Sequence, residues 1–181
     1  MSLSTKKGLK VGGCSFINQL SKEQVLDLFM QCNTSQKWCM RMEQNRPFSD
    51  SQSMLETADQ HWELSTEEDY LEAFEGHPEI GDVSTLREKY RNTEKLAGHE
   101  QSGVNTANEN TLELLAQGNH DYKEKFGFIF IVCATGKSAE EMLQLLQQRL
   151  PNNRKQELEN AAEEQRKITQ IRLLKLLEEK A

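Results

Sequence analysis

The turn Glu75-Gly76-His77-Pro78 carries a histidine off the end of a helix and fixes its backbone on both sides. Gly76 suits the left-handed position just past a helix end, and Pro78 pushes His77 out of the α region into an extended conformation. An imidazole held in this way suits a general acid or base. The same turn also serves as a plain His-Pro helix terminus. A second candidate is His99-Glu100-Gln101-Ser102-Gly103. A carboxylate, an amide and a histidine are the parts needed to bind and protonate a polar heterocycle, or else the stretch is solvated helix. The third is Arg172, four residues after Ile168 and four before Leu176, with Gln165 seven residues earlier on the same line. Its planar fork would hold an anionic ligand; alternatively it snorkels or closes a structural ion pair.

Helices must position these groups. Ser21 with Gln24 forms a capping box for a helix through Cys32, and a second helix spans Ser35 to Gln44 and stops before Pro47. A third runs from about Ser51 to His61. The next is capped by Ser65-Thr66-Glu67-Glu68 and carries Tyr70, Leu71 and Phe74 into the histidine turn. Residues Ser84 to Glu100 are helical in propensity with a break at Gly98. Thr106 to Lys125 reads as a helix with Leu112, Leu115 and Tyr122 inward. Ser138 with Glu141 caps a helix ending near Pro151, and Asn153 caps the last, to about Glu179. At about 100° per residue, Leu158, Ala161, Ala162, Ile168, Leu173 and Leu176 share one face of that last helix. Only Phe128 to Ala134 reads as extended, just beyond a helix end at Gly127. With no sheet to join, its backbone N–H and C=O groups need partners, supplied by an amide-rich ligand or by water and neighbouring side chains. The expected fold is all-α: a single compact multi-helix domain over residues 15–181 with one short extended apolar segment, after a disordered or appended end at 1–14.

Composition narrows the function. The 181 residues carry a net charge of −7, and no long basic run stands out, which argues against a nucleic-acid surface. No apolar run is long enough to cross a membrane, and the N-terminal Met1 to Lys10 lacks the apolar core of a signal peptide. A cytoplasmic protein is expected. Cys14, Cys32, Cys39 and Cys133 include no CxxC pair and no histidine at ligand spacing, so neither a zinc site nor a disulfide framework is indicated. His61 and His120 read as surface or partly buried structural residues.

Taken in order, Arg46-Pro47-Phe48, Gly76-His77-Pro78, Glu100-Gln101, the Tyr122 to Ala134 segment and Ile171-Arg172-Leu173 resemble one family. It is the 2-oxo-4-hydroxy-4-carboxy-5-ureidoimidazoline (OHCU) decarboxylases, which complete the conversion of urate to (S)-allantoin. The resemblance covers roughly Ser15 to Leu177. It implies an all-α, homodimeric lyase acting on a small molecule, with no metal or organic cofactor and no nucleic-acid or membrane partner. By matching positions it implies His77, Glu100 and Arg172 as catalytic residues. Pro78, Gln101, Phe128, Phe130, Ile131, Val132, Cys133 and Ala134 would line the substrate. One departure stands out: where family members often carry a serine three residues before the glutamate, this chain has Ala97, so a hydroxyl contact is missing. Two alternatives compete. One is a non-catalytic acidic interaction module that docks through an exposed stripe on residues 158–176. The other is a decarboxylase of the same fold acting on another ureido compound.

Overall fold

The computed structural model describes residues 13–79, 82–96 and 106–179, and among these every regular element is a helix. In chain order they are α1 Ser15–Gln19, α2 Lys22–Cys32, α3 Gln36–Gln44, α4 Ser51–Glu63, α5 Glu67–Glu75, α6 Val83–Leu96, α7 Thr106–Phe126, α8 Ala139–Arg149 and α9 Arg154–Glu179. Glu100 and Gln101, with Ala97, Gly98 and His99, lie outside the described residues.

Local chemistry sets most helix starts. Ser21 accepts the Gln24 N–H while the Gln24 side chain accepts the Ser21 N–H, the capping box expected for α2, and Ser138 with Glu141 does the same for α8. Asn153 accepts from the Gln156 N–H at 2.9 Å and opens α9. The cap of α5 sits one residue later than expected. Thr66 Oγ1 accepts the Asp69 N–H and the Asp69 carboxylate accepts the Thr66 N–H, while the Ser65 hydroxyl donates to the His61 carbonyl. An aspartate three residues on closes the same reciprocal ring as a glutamate.

Helices pack in two units: one holds the chain up to Asp69 together with that from Arg166 on, the other holds Tyr70–Gln165. In the first, Ile17, Val25, Phe29, Trp38, Met42 and Met54 are fully buried. Phe29 meets Trp38 edge-on at 6.0 Å, and the indole N–H donates to the Ala58 carbonyl at 3.0 Å. The C-terminal half of α9 joins this core through Leu173 and Leu177. It is tied down by Arg166 to Asp59 at 3.0 Å and by Asn33 to Thr169 at 3.2 Å. In the second unit Phe74, Leu86, Leu115, Tyr122, Phe126 and Leu146 form the core. Gly118 lets α7 lie close to α8, because a Cβ there would stand 2.5 Å from Leu146 Cδ2.

Candidate active site

The histidine turn forms without a left-handed glycine. Positive φ occurs among the described residues at Gly127 and Gly136, not at Gly76, which corrects the expectation for that residue. Instead, the Gly76 and His77 N–H groups reach three residues back, to the Ala73 and Phe74 carbonyls at 3.3 and 3.1 Å. That tighter last turn satisfies two terminal carbonyls and turns the chain at negative φ. His77 is half-buried and Pro78 exposed. The His77 Nε2 lies 2.6 Å from Oε1 of Gln165, and Gln165 is fully buried on α9. Gln165 was visible in the sequence only as a polar residue on the line of α9 that carries Arg172. An amide on a face that is apolar but for Arg172 was the signal, since it cannot be buried there without a hydrogen-bonding partner.

The apolar strip follows Gly127, whose φ of 81° ends α7 where the sequence places the break. It joins no sheet, and charged side chains supply its partners. The Ile131 carbonyl accepts from Arg149 Nη1 at 2.7 Å, the Cys133 N–H donates to Glu164 at 2.7 Å, and the Cys133 carbonyl accepts from Lys137 Nζ at 2.7 Å. Of the two ways to satisfy this backbone, neighbouring side chains therefore account for these three groups. Phe128 is core, with its ring 5.4 Å from Phe74 and 5.9 Å from Tyr122, and Ile131 is buried too. Phe130, Val132, Cys133 and Ala134 are half-buried and present the accessible side of the strip.

Beneath the strip is a buried ionic cluster that sequence reasoning missed. Glu157 is fully buried and accepts from Arg149 Nε at 2.8 Å, from Asn152 and Asn160 at 2.8 Å, and from the Tyr122 hydroxyl. Burial alone would raise its pKa, but these donors together hold the carboxyl below the usual 4.5. Tyr122 is driven the other way, chiefly by burial. The Arg149 guanidinium also lies 4.7 Å from the centre of the Phe130 ring. One arginine thus holds a carboxylate, a strip carbonyl and a strip aromatic. Charges at helix ends read as solvated in a sequence, which is why the cluster was not foreseen.

Arg172 belongs to the first unit. It is half-buried, and its Nη1 donates at 3.3 Å to the carbonyl of Cys32, the last residue of α2. The thiol of Cys32 is pushed up to about 11 by burial, against the opposing pull of Arg172. Around Arg172 the expected face of α9 is buried at Ala161, Ala162, Leu173 and Leu176 and half-buried at Leu158 and Ile168. The exposed docking stripe that an interaction module requires is absent from these residues. Among the described residues no three His, Cys, Asp or Glu side chains are grouped to hold a metal ion, and no helix is long and apolar enough to cross a membrane.

Comparison with known proteins agrees with the resemblance read from the motifs. The sequence model of the family described as OHCU decarboxylase matches residues 18–174. The uric acid degradation bifunctional protein TTL of Arabidopsis thaliana is 34% identical over 155 residues, covering 86% of this chain and 48% of that protein. The uric acid degradation bifunctional protein of a Bacillus species is 29% identical, over 90% of this chain and 32% of that one. The chain thus spans about half of the first relative and about a third of the second. The OHCU decarboxylase of Halalkalicoccus jeotgali is 24% identical and matches over 88% of this chain and 89% of its own length. In three dimensions, a crystal structure of OHCU decarboxylase in the presence of (S)-allantoin is similar with a TM-score of 0.68 at 34% identity. That match covers 88% of this chain and 99% of the other.

Proposed function

The chain belongs to the OHCU decarboxylase family, and from that premise we propose that it releases CO2 from OHCU to give (S)-allantoin in urate degradation. The observation that carries this reading is His77. A half-buried imidazole just past a helix end, hydrogen-bonded to a fully buried amide, lies within the span that matches the family.

The substrate's own structure explains why no cofactor is needed. Its carboxylate sits on a carbon that also bears a hydroxyl, beside a ring C=N. When the C–C bond to the carboxylate breaks, CO2 leaves and its electron pair forms a C=C bond to the adjacent ring carbon. The C=N pair passes to the ring nitrogen, which takes up a proton, as the carbonyl oxygen does in a β-keto acid. The enol-like intermediate then gives up its hydroxyl hydrogen and gains one at the neighbouring ring carbon, on one face only. The protein has to orient the carboxylate, stabilise developing charge and move that proton.

In this reading His77 exchanges the proton and Glu100 holds it basic. Arg172 anchors the anionic substrate through its planar fork. Pro78, Gln101 and the accessible side of the strip from Phe130 to Ala134 bear on the ureido and ring groups. The bond from Cys133 N–H to Glu164 leaves that amide already engaged, so other groups of the strip meet the substrate. The working enzyme is a cytoplasmic homodimer without metal or organic cofactor.

The test generates OHCU in situ from urate with urate oxidase and the ring-opening hydrolase, and follows the circular dichroism of (S)-allantoin. Acceleration by the wild type that is lost in His77→Ala supports the reading. No acceleration by a folded sample overturns it. A parallel assay with another ureido acid separates this substrate from a related one.

A further inference from the structure

We propose that Gln165 is a positioning residue for His77: its side-chain oxygen keeps a hydrogen on Nε2, so the proton that the imidazole gains and loses is the one on Nδ1. The inference rests on His77 being the acid–base group. Its physical basis is the pair itself. Gln165 has no solvent exposure, and a buried amide costs free energy unless it is hydrogen-bonded. Its neighbours one turn away on α9, Ala161 and Thr169, are buried as well, so an aliphatic side chain would have filled the position without needing a partner.

The amide oxygen faces the ring nitrogen at 2.6 Å. An amide oxygen only accepts, so Nε2 is the donor. A neutral imidazole carries one hydrogen, and the hydrogen bond made by one nitrogen decides which nitrogen holds it. With Nε2 committed, the ring titrates at Nδ1, whatever group faces that atom. The bond also fixes ring orientation. His77 is tethered at its backbone by the Phe74 carbonyl, and Gln165 adds a second point at the far end of the ring. An amide does this without adding a charge, whereas a carboxylate at the same place would hold the ring as imidazolium.

The experiment reads His77 directly by long-range 15N–1H NMR on histidine-labelled protein, beside kinetics of Gln165→Met and Gln165→Glu. Wild type is expected to show the hydrogen on Nε2 in the neutral ring. Gln165→Met should lose that preference and lower kcat by about tenfold to 10²-fold with KM nearly unchanged, as misorientation of a reacting group does. Gln165→Glu, which keeps an acceptor oxygen but adds a charge, should keep the hydrogen on Nε2 and hold the ring as imidazolium to higher pH than in wild type. A neutral wild-type ring protonated on Nδ1 overturns the assignment, as does a folded Gln165→Met that keeps the Nε2–H form and wild-type kcat. Because the tautomer is read without substrate, it judges Gln165 even if the His77 variants were to show that the decarboxylase reading fails.

Discussion

Two corners of this chain pair a proline with a polar side chain that matches the family, and their bonding differs. At Arg46-Pro47-Phe48 the guanidinium donates to the Ile17 and Leu20 carbonyls at 2.9 and 2.7 Å and to Glu43 at 3.3 Å. Phe48 is buried, and its N–H and C=O are both clasped by the Asn18 amide at 2.9 Å. Those bonds secure the end of α1, a five-residue helix too short to stand alone. At Gly76-His77-Pro78 the imidazole is half-buried and meets the buried side-chain oxygen of Gln165 on α9. The first corner spends its arginine on backbone carbonyls, while the second holds a titratable ring at the surface of its unit. The residue before proline is thus tied into backbone carbonyls at one corner and presents an imidazole at the other, the one for which an acid–base role is proposed.

The largest effect is expected where a charge works entirely for structure. Arg149→Met strands the buried Glu157 carboxylate, and breaking a buried pair in this way costs about 3–5 kcal/mol. Denaturant unfolding would measure it, and the double variant Arg149→Met with Glu157→Leu should lose less than the sum of the two single changes. A loss below about 1 kcal/mol would mean that Tyr122, Asn152 and Asn160 satisfy Glu157 without the arginine.

Next comes the comparison of corners itself. His77→Asn should lower turnover by about 10² or more, while the lost hydrogen bond to Gln165 costs only about 1 kcal/mol of stability. Arg46→Met should do the reverse. Losing charged donors to two carbonyls costs about 2 kcal/mol, which in a chain of this length lowers Tm by about 4–8 °C. Turnover per folded molecule should stay at the wild-type level. If Arg46→Met instead lost turnover at full stability, the contrast between the two corners would collapse.

Much of the fold was legible because caps and periodicity are local. Ser21, Ser138 and Asn153 open helices where their side chains predict, and Leu112, Leu115 and Tyr122 are buried as the α7 pattern requires. α1 was not legible, because five residues carry too little periodicity and the helix depends on bonds to Arg46 and Phe48, 26 to 30 residues away. For the site, the sequence pointed to His77 but not to its partner, 88 residues on. The cluster of Arg149, Glu157 and Tyr122 was equally hidden, since separations of 8 to 35 residues are invisible to any local rule.

The smallest expected effect concerns a histidine outside both corners. His61, on α4, is held below the ordinary 6.5, first by burial and then by the nearby Arg41 charge. Its Nε2 lies 2.8 Å from the Asn45 amide nitrogen, a contact that needs a bare ring nitrogen to accept the amide hydrogen. Protonation would set a donor against a donor. With the folded pKa lowered, the unfolded chain takes up the proton first as pH falls. The stability that His61 contributes is therefore complete above about pH 6.5 and lost as pH drops from there through the folded value. Wild type should lose Tm across that window, and His61→Gln should flatten the loss. The carboxyls of Asp69 and Glu157, held below 3.8 and 4.5, lose their contribution only at lower pH, so a decline near pH 6 that persists in His61→Gln would assign it to another group.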